Sequence, residues 1–162
     1  MLVGILSDSH GQQLLVRQVM ALFDSLGVEH VIHCGDIGGT EVFDELAGRR
    51  CTFVWGNMDQ PTGGLAAYLK TVGLEAPAQP PARLTLDGKT FAVFHGHESQ
   101  LDKAIGKLQV DYLLHGHTHI PRDERIGRTR VINPGALHRA ARKTVAILDT
   151  QTDGLSYRDV GK

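Results

Sequence analysis

Five times along this chain a short apolar run breaks off into a loop carrying glycine together with histidine, aspartate or asparagine. Residues 2–6 lead into Asp8 and His10, residues 30–34 into Gly35-Asp36, and residues 52–55 into Gly56-Asn57-Met58-Asp59. Residues 90–94 lead into His95-Gly96-His97, and residues 111–114 into His115-Gly116-His117-Thr118-His119. Brief apolar runs bounded by turn residues read as buried strands. Helical signals separate the first three. Between residues 12 and 26, Leu15, Val19, Leu22, Phe23 and Leu26 recur at helical spacing before Gly27, which suits a left-handed C-cap. Thr40 suits the N-cap of a second helix through Ala47. Strands separated by helices pair in parallel through right-handed crossovers, so the loops gather at one end of a sheet.

The remainder reads differently. Residues 63–72 predict a short helix, after which Ala76-Pro77-Ala78-Gln79-Pro80-Pro81 imposes an extended surface connection. Asp87-Gly88 between residues 83–86 and 90–94 predicts a hairpin with a type I′ turn. Ser99 suits the cap of a helix reaching about residue 109. Four short strands follow, at 122–126, 129–132, 144–149 and 155–158, separated by turns that include Asn133-Pro134-Gly135. The expected fold is an α/β start with an antiparallel sheet in the last quarter, in a single domain spanning residues 1–162. A chain of 162 residues with 41% apolar and 22% charged side chains fits one core.

Charge and cysteine usage exclude several partners. Seventeen basic against eighteen acidic residues leave a net charge of -1, so the bulk balance carries no strong nucleic-acid signature and no pull toward an anionic membrane, leaving only a local basic patch open. The amino terminus lacks the pattern of a signal peptide, and no apolar run approaches the ~20 residues of a membrane span. A cytoplasmic location is expected. Cys34 and Cys51 form no CxxC pair, which suits a reducing compartment and small buried apolar roles.

The polar loops carry the chemistry. Asp8, His10, Asp36, Asn57, His95, His117 and His119 stand at the ends of five strands, where sites form in open α/β sheets. Carboxylate and amide oxygens mixed with imidazoles suit divalent manganese, iron or zinc, and the absence of cysteine ligands argues against a structural zinc. Seven ligands exceed what one ion with an open position needs; they suit two ions ~3.5–4 Å apart with one carboxylate between them.

The ordered motifs Asp8-Ser9-His10, Gly35-Asp36, Gly56-Asn57-Met58-Asp59, His95-Gly96-His97 and Gly116-His117-Thr118-His119 resemble those of the calcineurin-like metallophosphoesterase superfamily. Small size and Asn133-Pro134-Gly135 resemble its YfcE-like phosphodiesterase branch. The resemblance covers nearly the whole chain. It implies a two-sheet β-sandwich flanked by helices, one metal held by Asp8, His10 and His119, the other by Asn57, His95 and His117, and Asp36 bridging. It implies manganese as the leading metal, with iron, zinc, nickel and magnesium as alternatives, and a possible homo-oligomer. The activity it implies is hydrolysis of a small phosphodiester or nucleotide-like substrate by a metal-activated water, and Asp36 and Asn57, with His97 beside His95 in sequence, are the candidates nearest the reacting atoms.

One position departs from the pattern. Where many superfamily members carry a histidine that protonates the leaving oxygen, this chain has Met58, and a thioether donates no proton. His97 is the nearest alternative donor by sequence, or it orients a ligand or contacts phosphate. Two other functions stay open: a non-catalytic scaffold on the same fold, or a phosphomonoesterase or nucleotide pyrophosphatase. The filled ligand set weighs against the scaffold, and Met58 against the monoester. Among other residues, His33 and His115 are expected as satisfied near-core histidines, and His30 and His138 as solvent-facing ones. Arg139 and Arg142 are expected at the surface, within possible reach of substrate phosphate; Asp59 either bonds a ligand or shapes its turn; Met20 is expected in the core.

Overall fold

The structure, a computed structural model, describes residues 1–77 and 80–161. Its elements are β1 (Leu2–Leu6), α1 (Gln13–Leu26), β2 (His30–His33), α2 (Thr40–Leu46), β3 (Cys51–Phe53), α3 (Gly63–Thr71), β4 (Ala82–Leu86), β5 (Lys89–Val93), α4 (Gln100–Ala104), β6 (Tyr112–Leu114), β7 (Arg122–Ile126), β8 (Thr129–Asn133), β9 (Thr144–Asp149) and β10 (Gly154–Asp159). They form two five-stranded sheets, ordered β10-β9-β1-β2-β3 and β4-β5-β6-β8-β7. As expected, β1, β2 and β3 run parallel, and β4 and β5 form a hairpin.

The last quarter does not make a sheet of its own. β7 and β8 join the second sheet, where β8 lies parallel to β6, while β9 and β10 extend the first sheet antiparallel to β1. Each late pair is antiparallel within itself, but each covers an edge that a parallel sheet would leave open. Local patterning carries the pairing within a hairpin and not the sheet it joins.

Alternating side chains build three cores from these two sheets. Val3 and Ile5 of β1, Phe91 and Val93 of β5, and Tyr112 and Leu114 of β6 meet between the sheets with Ile32, Ile132, Ala146 and Leu148. α1 lays Val16, Val19, Met20 and Phe23 on the outer face of the first sheet, joined by Phe43 and Leu46 of α2 and Leu69 of α3. On the outer face of the second sheet, Leu101 and Ala104 of α4 pack with Ala92, Phe94, Leu113 and Val131. The result is a sandwich with helices outside both sheets, and Met20 is in its core as expected.

Helix ends follow backbone chemistry. Gly27 caps α1 in the left-handed conformation, with its N–H on Asp24 O and that of Val28 on Phe23 O. Gly39, not Thr40, is the N-cap residue of α2, and neither it nor Ser99 before α4 makes a side-chain capping bond. α4 stops at Ala104 rather than near residue 109, because Gly106 turns the chain at a φ of 79°. Of the predicted connection over residues 76–81, Ala78 and Gln79 lie outside the described residues.

Gly4 of β1 is where α1 seats Phe23. A Cβ at Gly4 would sit 2.5 Å from that ring. Gly4→Ala is expected to lower stability by about 1–3 kcal/mol through overpacking, read as a lower urea midpoint at unchanged m-value.

Candidate metal centre

The five polar loops converge because their backbones are bonded to one another. Asp8 N–H donates to Gly35 O (3.0 Å) and His10 N–H to Asp36 O (2.9 Å), joining the loops after β1 and β2. Gly116 N–H donates to His95 O (2.7 Å), joining those after β5 and β6. Asp8 spans the two sheets: its Oδ2 accepts the Ser7 hydroxyl (2.5 Å) and the His117 backbone N–H (3.1 Å). Five of the seven predicted ligands sit in left-handed backbone, with φ of 53° at Asp8, 44° at His10, 53° at Asp36, 67° at His117 and 60° at His119. Non-glycine residues there are uncommon, and such strain concentrates at functional sites.

At the centre, Asp8 and Asp36 are 0% and 3% exposed. Asp36 Oδ2 lies 3.5 Å from His10 Nε2 and 3.4 Å from His95 Nε2. Asp8 Oδ1 lies 3.1 Å from His119 Nε2 and 4.0 Å from both His10 Nε2 and His95 Nε2. Ligand atoms of Asp8, His10 and His119 fall within 4.8 Å of one another, and so do those of Asp8, Asp36 and His95. Both carboxylates therefore stand between the histidines of the two sets.

The donor chemistry fits cations. His95 Nδ1 faces Cys34 O at 2.8 Å, and a carbonyl only accepts, so Nδ1 carries the hydrogen. In the neutral ring Nε2 then carries the lone pair, and it faces Asp36 Oδ2 and the Asn57 Oδ1, the latter at 3.1 Å. His10 Nε2 is buried and makes no hydrogen bond among the described residues, despite the two carboxylates near it. Carboxylate and amide oxygens and imidazole nitrogens gathered on one shared space are what divalent ions satisfy.

A layer of fixed groups holds these ligands. Asp59 accepts the N–H groups of Ile37 (2.9 Å), Gly38 (3.1 Å) and Gly56 (2.8 Å), tying the Asp36 loop to the Asn57 loop; it shapes the backbone rather than bonding a ligand side chain. Burial pushes its carboxyl up from the usual value, opposed by those three donors. Gly56 has no substitute, because a Cβ there would lie 2.0 Å from Asp36 Oδ1. Asp36 Oδ1 also accepts the Met58 backbone N–H at 2.9 Å.

The sequence does not place two such residues at the site, although Asn133 stands in the Asn133-Pro134-Gly135 segment. Glu98 is buried and accepts the N–H groups of His95 (2.8 Å) and Gly96 (2.6 Å). Asn133, also buried, donates to Gly116 O (2.9 Å) and Thr118 Oγ1 (3.0 Å), fixing the loop of His117 and His119. A carboxylate three residues beyond His95 is the one trace Glu98 leaves.

The other predicted residues fall as follows. His117 is exposed and belongs to neither tight cluster, but its ring centroid is 5.1 Å from that of His95. His97 is exposed at the rim, 5.4 Å from His95 and 6.3 Å from His117 between centroids, with Nδ1 3.9 Å from Glu98. His33 is a satisfied core histidine, bonded through Nε2 to Ser9 and through Nδ1 to Gly35 N–H, and burial holds it down to about 3. His115 is buried, its Nε2 without a partner. His30 and His138 do not simply face solvent: His30 bonds Thr52 at 2.9 Å, and the His138 ring lies 5.1 Å from that of His10. Cys34 is buried but Cys51 only partly so.

Residues 1–153 match the family model described as the calcineurin-like phosphoesterase superfamily domain. The chain belongs to that superfamily. It is 32% identical to the phosphodiesterase MJ0936 of Methanocaldococcus jannaschii over 99% of this chain and 98% of that one. It is 25% identical to the phosphodiesterase YfcE of Escherichia coli over 81% of this chain and 76% of the relative. A solved archaeal phosphodiesterase superposes with a TM-score of 0.87 at 31% identity, covering 98% and 99% of the two chains. Zinc-bound Vps29 of Entamoeba histolytica, 19% identical with a TM-score of 0.66 over 98% and 99%, shares the fold.

Because Asp59 holds two candidate ligand loops at once, Asp59→Ala is expected to lower divalent-metal affinity about 10–100-fold although no candidate ligand residue is itself replaced. Metal titration of the purified variant, with circular dichroism to establish folding, measures this.

Proposed function

We propose that this superfamily member is a dimetal-dependent phosphodiesterase. The observation that carries the reading is the cluster of nitrogen and oxygen ligand atoms around Asp8 and Asp36: His10 Nε2 without a hydrogen bond among the described residues, His95 held through Nδ1 by Cys34 O so that Nε2 faces the carboxylates, and His119 Nε2 3.1 Å from Asp8. Asp8, His10 and His119 would hold one ion, and Asn57, His95 and His117 the other, with Asp36 between them; Asp36 Oδ2 at 3.5 and 3.4 Å from one histidine of each set supports that bridge. Manganese is the metal we favour. Bound divalent ions supply charge to offset the phosphoryl anion and acidify water enough for nucleophilic attack near neutral pH. The protein holds the bridging carboxylate through the Met58 N–H, fixes the His95 tautomer through Cys34 O, and presents the exposed Asn57 and His117 toward substrate. A cytoplasmic setting belongs to the same reading, in keeping with the free thiols of Cys34 and Cys51.

The measurement that decides is metal analysis of purified protein followed by manganese-dependent assays on matched monoester and diester substrates. Asp36→Ala and His117→Ala are each expected to lose metal and hydrolysis together, and retention of both at wild-type level removes the reading. Inactivity toward every ester would favour a scaffold role.

The Met58 side chain is 64% exposed and only its backbone serves Asp36, so this position is free to vary without disturbing the bridge. Protonation of the leaving oxygen then falls to His97 at the rim or to solvent. Met58→His is expected to raise kcat about 10²-fold or more on a diester with a poor leaving group, as a positioned acid does. It should change little on a nitrophenyl diester, at unchanged metal content.

A further inference from the structure

A cavity of about 400 Å³ opens directly beside the metal centre. His119 belongs to both, its Nε2 3.1 Å from Asp8 and its side chain lining the cavity with Ile120, Pro121, Arg139 and Ala140. We infer that this cavity receives one side of the phosphodiester and that Arg139 is a positioning residue for a second phosphate carried on that side. The inference rests on the phosphodiesterase reading and adds a substrate class to it.

Ile120 is 68% exposed on the cavity wall. With Pro121, Ala140 and Ala141 it gives an apolar surface suited to a sugar or base, and the volume lies within the range of small-molecule sites. Two arginines line the same space. Arg142 is engaged by Asp159 at 2.8 Å. Arg139 makes no hydrogen bond or ion pair among the described residues, and it is held in left-handed backbone at a φ of 48°.

Its loop is braced rather than loose. Ala136 pairs with Lys143 across the base, and the Thr144 hydroxyl donates to Pro134 O at 2.8 Å. On the far side of the loop's start, His138 lies against His10, so residues 138 and 139 lead from one ligand to the cavity. A free guanidinium a few residues from a phosphoryl site has little use for a neutral leaving group. Its planar fork matches a phosphate, whose oxygens it binds in pairs. The substrate class this describes is a phosphodiester with a nucleoside-sized group that ends in another phosphate.

Dithymidine monophosphate and its 5′-phosphorylated form are the matched pair for the test, assayed with the manganese-loaded full chain. Wild type should favour the phosphorylated form by about tenfold in kcat/KM, expressed mainly in KM. Arg139→Ala should abolish that preference while leaving the unphosphorylated dinucleotide within about twofold, and Arg139→Lys should restore part of it. Equal use of both by wild type, or a preference that survives Arg139→Ala, overturns the inference. Calorimetric binding of thymidine 3′,5′-bisphosphate against thymidine 3′-phosphate reads the same subsite without turnover. Tighter binding of the bisphosphate that depends on Arg139 supports the subsite even if no ester is hydrolysed, in which case the phosphodiesterase reading alone fails. Equal binding of the two in wild type removes the subsite whatever the enzyme hydrolyses.

Discussion

Two buried carboxylates facing imidazole lone pairs set the terms for everything else in this molecule. Asp8 and Asp36 stand with His10 Nε2 and His95 Nε2 at 3.4–4.0 Å, and the bond of His95 Nδ1 to Cys34 O makes Nε2 the lone-pair nitrogen of the neutral ring, facing them. Burying such groups without compensation costs several kcal/mol. Part of the compensation is in the protein. Asp8 accepts from Ser7 and from the His117 N–H, and Asp36 from the Met58 N–H. The oxygens left over, Asp8 Oδ1 and Asp36 Oδ2, are the ones turned toward the histidines. The protein thus neutralises the backs of its carboxylates and leaves their fronts for positive charge.

That division of labour requires the sandwich. A single parallel sheet would offer the loops after β1, β2 and β3, which supply Asp8, His10, Asp36 and Asn57 but neither His95 nor the pair His117 and His119. The second sheet presents β5 and β6, again parallel, toward the same place. Two bonds pin the halves together at the centre itself, His117 N–H to Asp8 and His95 Nδ1–H to Cys34 O. The inter-sheet core of Val3, Ile5, Phe91, Val93 and Leu114 fixes the spacing those bonds need. Packing and ligand geometry are therefore one problem, since sliding either sheet would separate Asp8 from His117 and His119.

Much of this was legible in the sequence because each ligand sits at the end of an apolar run, where periodicity is informative. The strand-end positions of the seven candidate ligands, the parallel start and the β4–β5 hairpin follow from that pattern. What was not legible depends on partners far away along the chain. β9 pairs with β1 across more than a hundred residues, and the pattern of residues 144–149 is the same whichever sheet receives it. Asn133 reads as a turn residue, yet its amide reaches back to Gly116 O. His138 carries nothing that distinguishes it from a surface histidine until the loop beyond Pro134 brings it to His10. Asp59 left two roles open, and only the positions of Ile37, Gly38 and Gly56 decide between them.

The backbone alone does not separate a hydrolase from other uses of this fold. At about 20% identity it superposes equally on the Escherichia coli phosphoesterase YfcE, with a TM-score of 0.67, and on Vps29, with 0.66. Shape is shared across functions, and chemistry is carried by side chains. The informative residues are those the fold does not need. Buried carboxylates, left-handed histidines and an unbonded imidazole nitrogen add nothing to the stability of a sandwich whose cores are already closed by Phe23, Phe43, Phe91 and Phe94. A scaffold relieved of catalysis could replace each with a residue that packs or bonds better. Here they stand together, and residues such as Asp59, Glu98 and Asn133 bond the backbone of the loops that carry them.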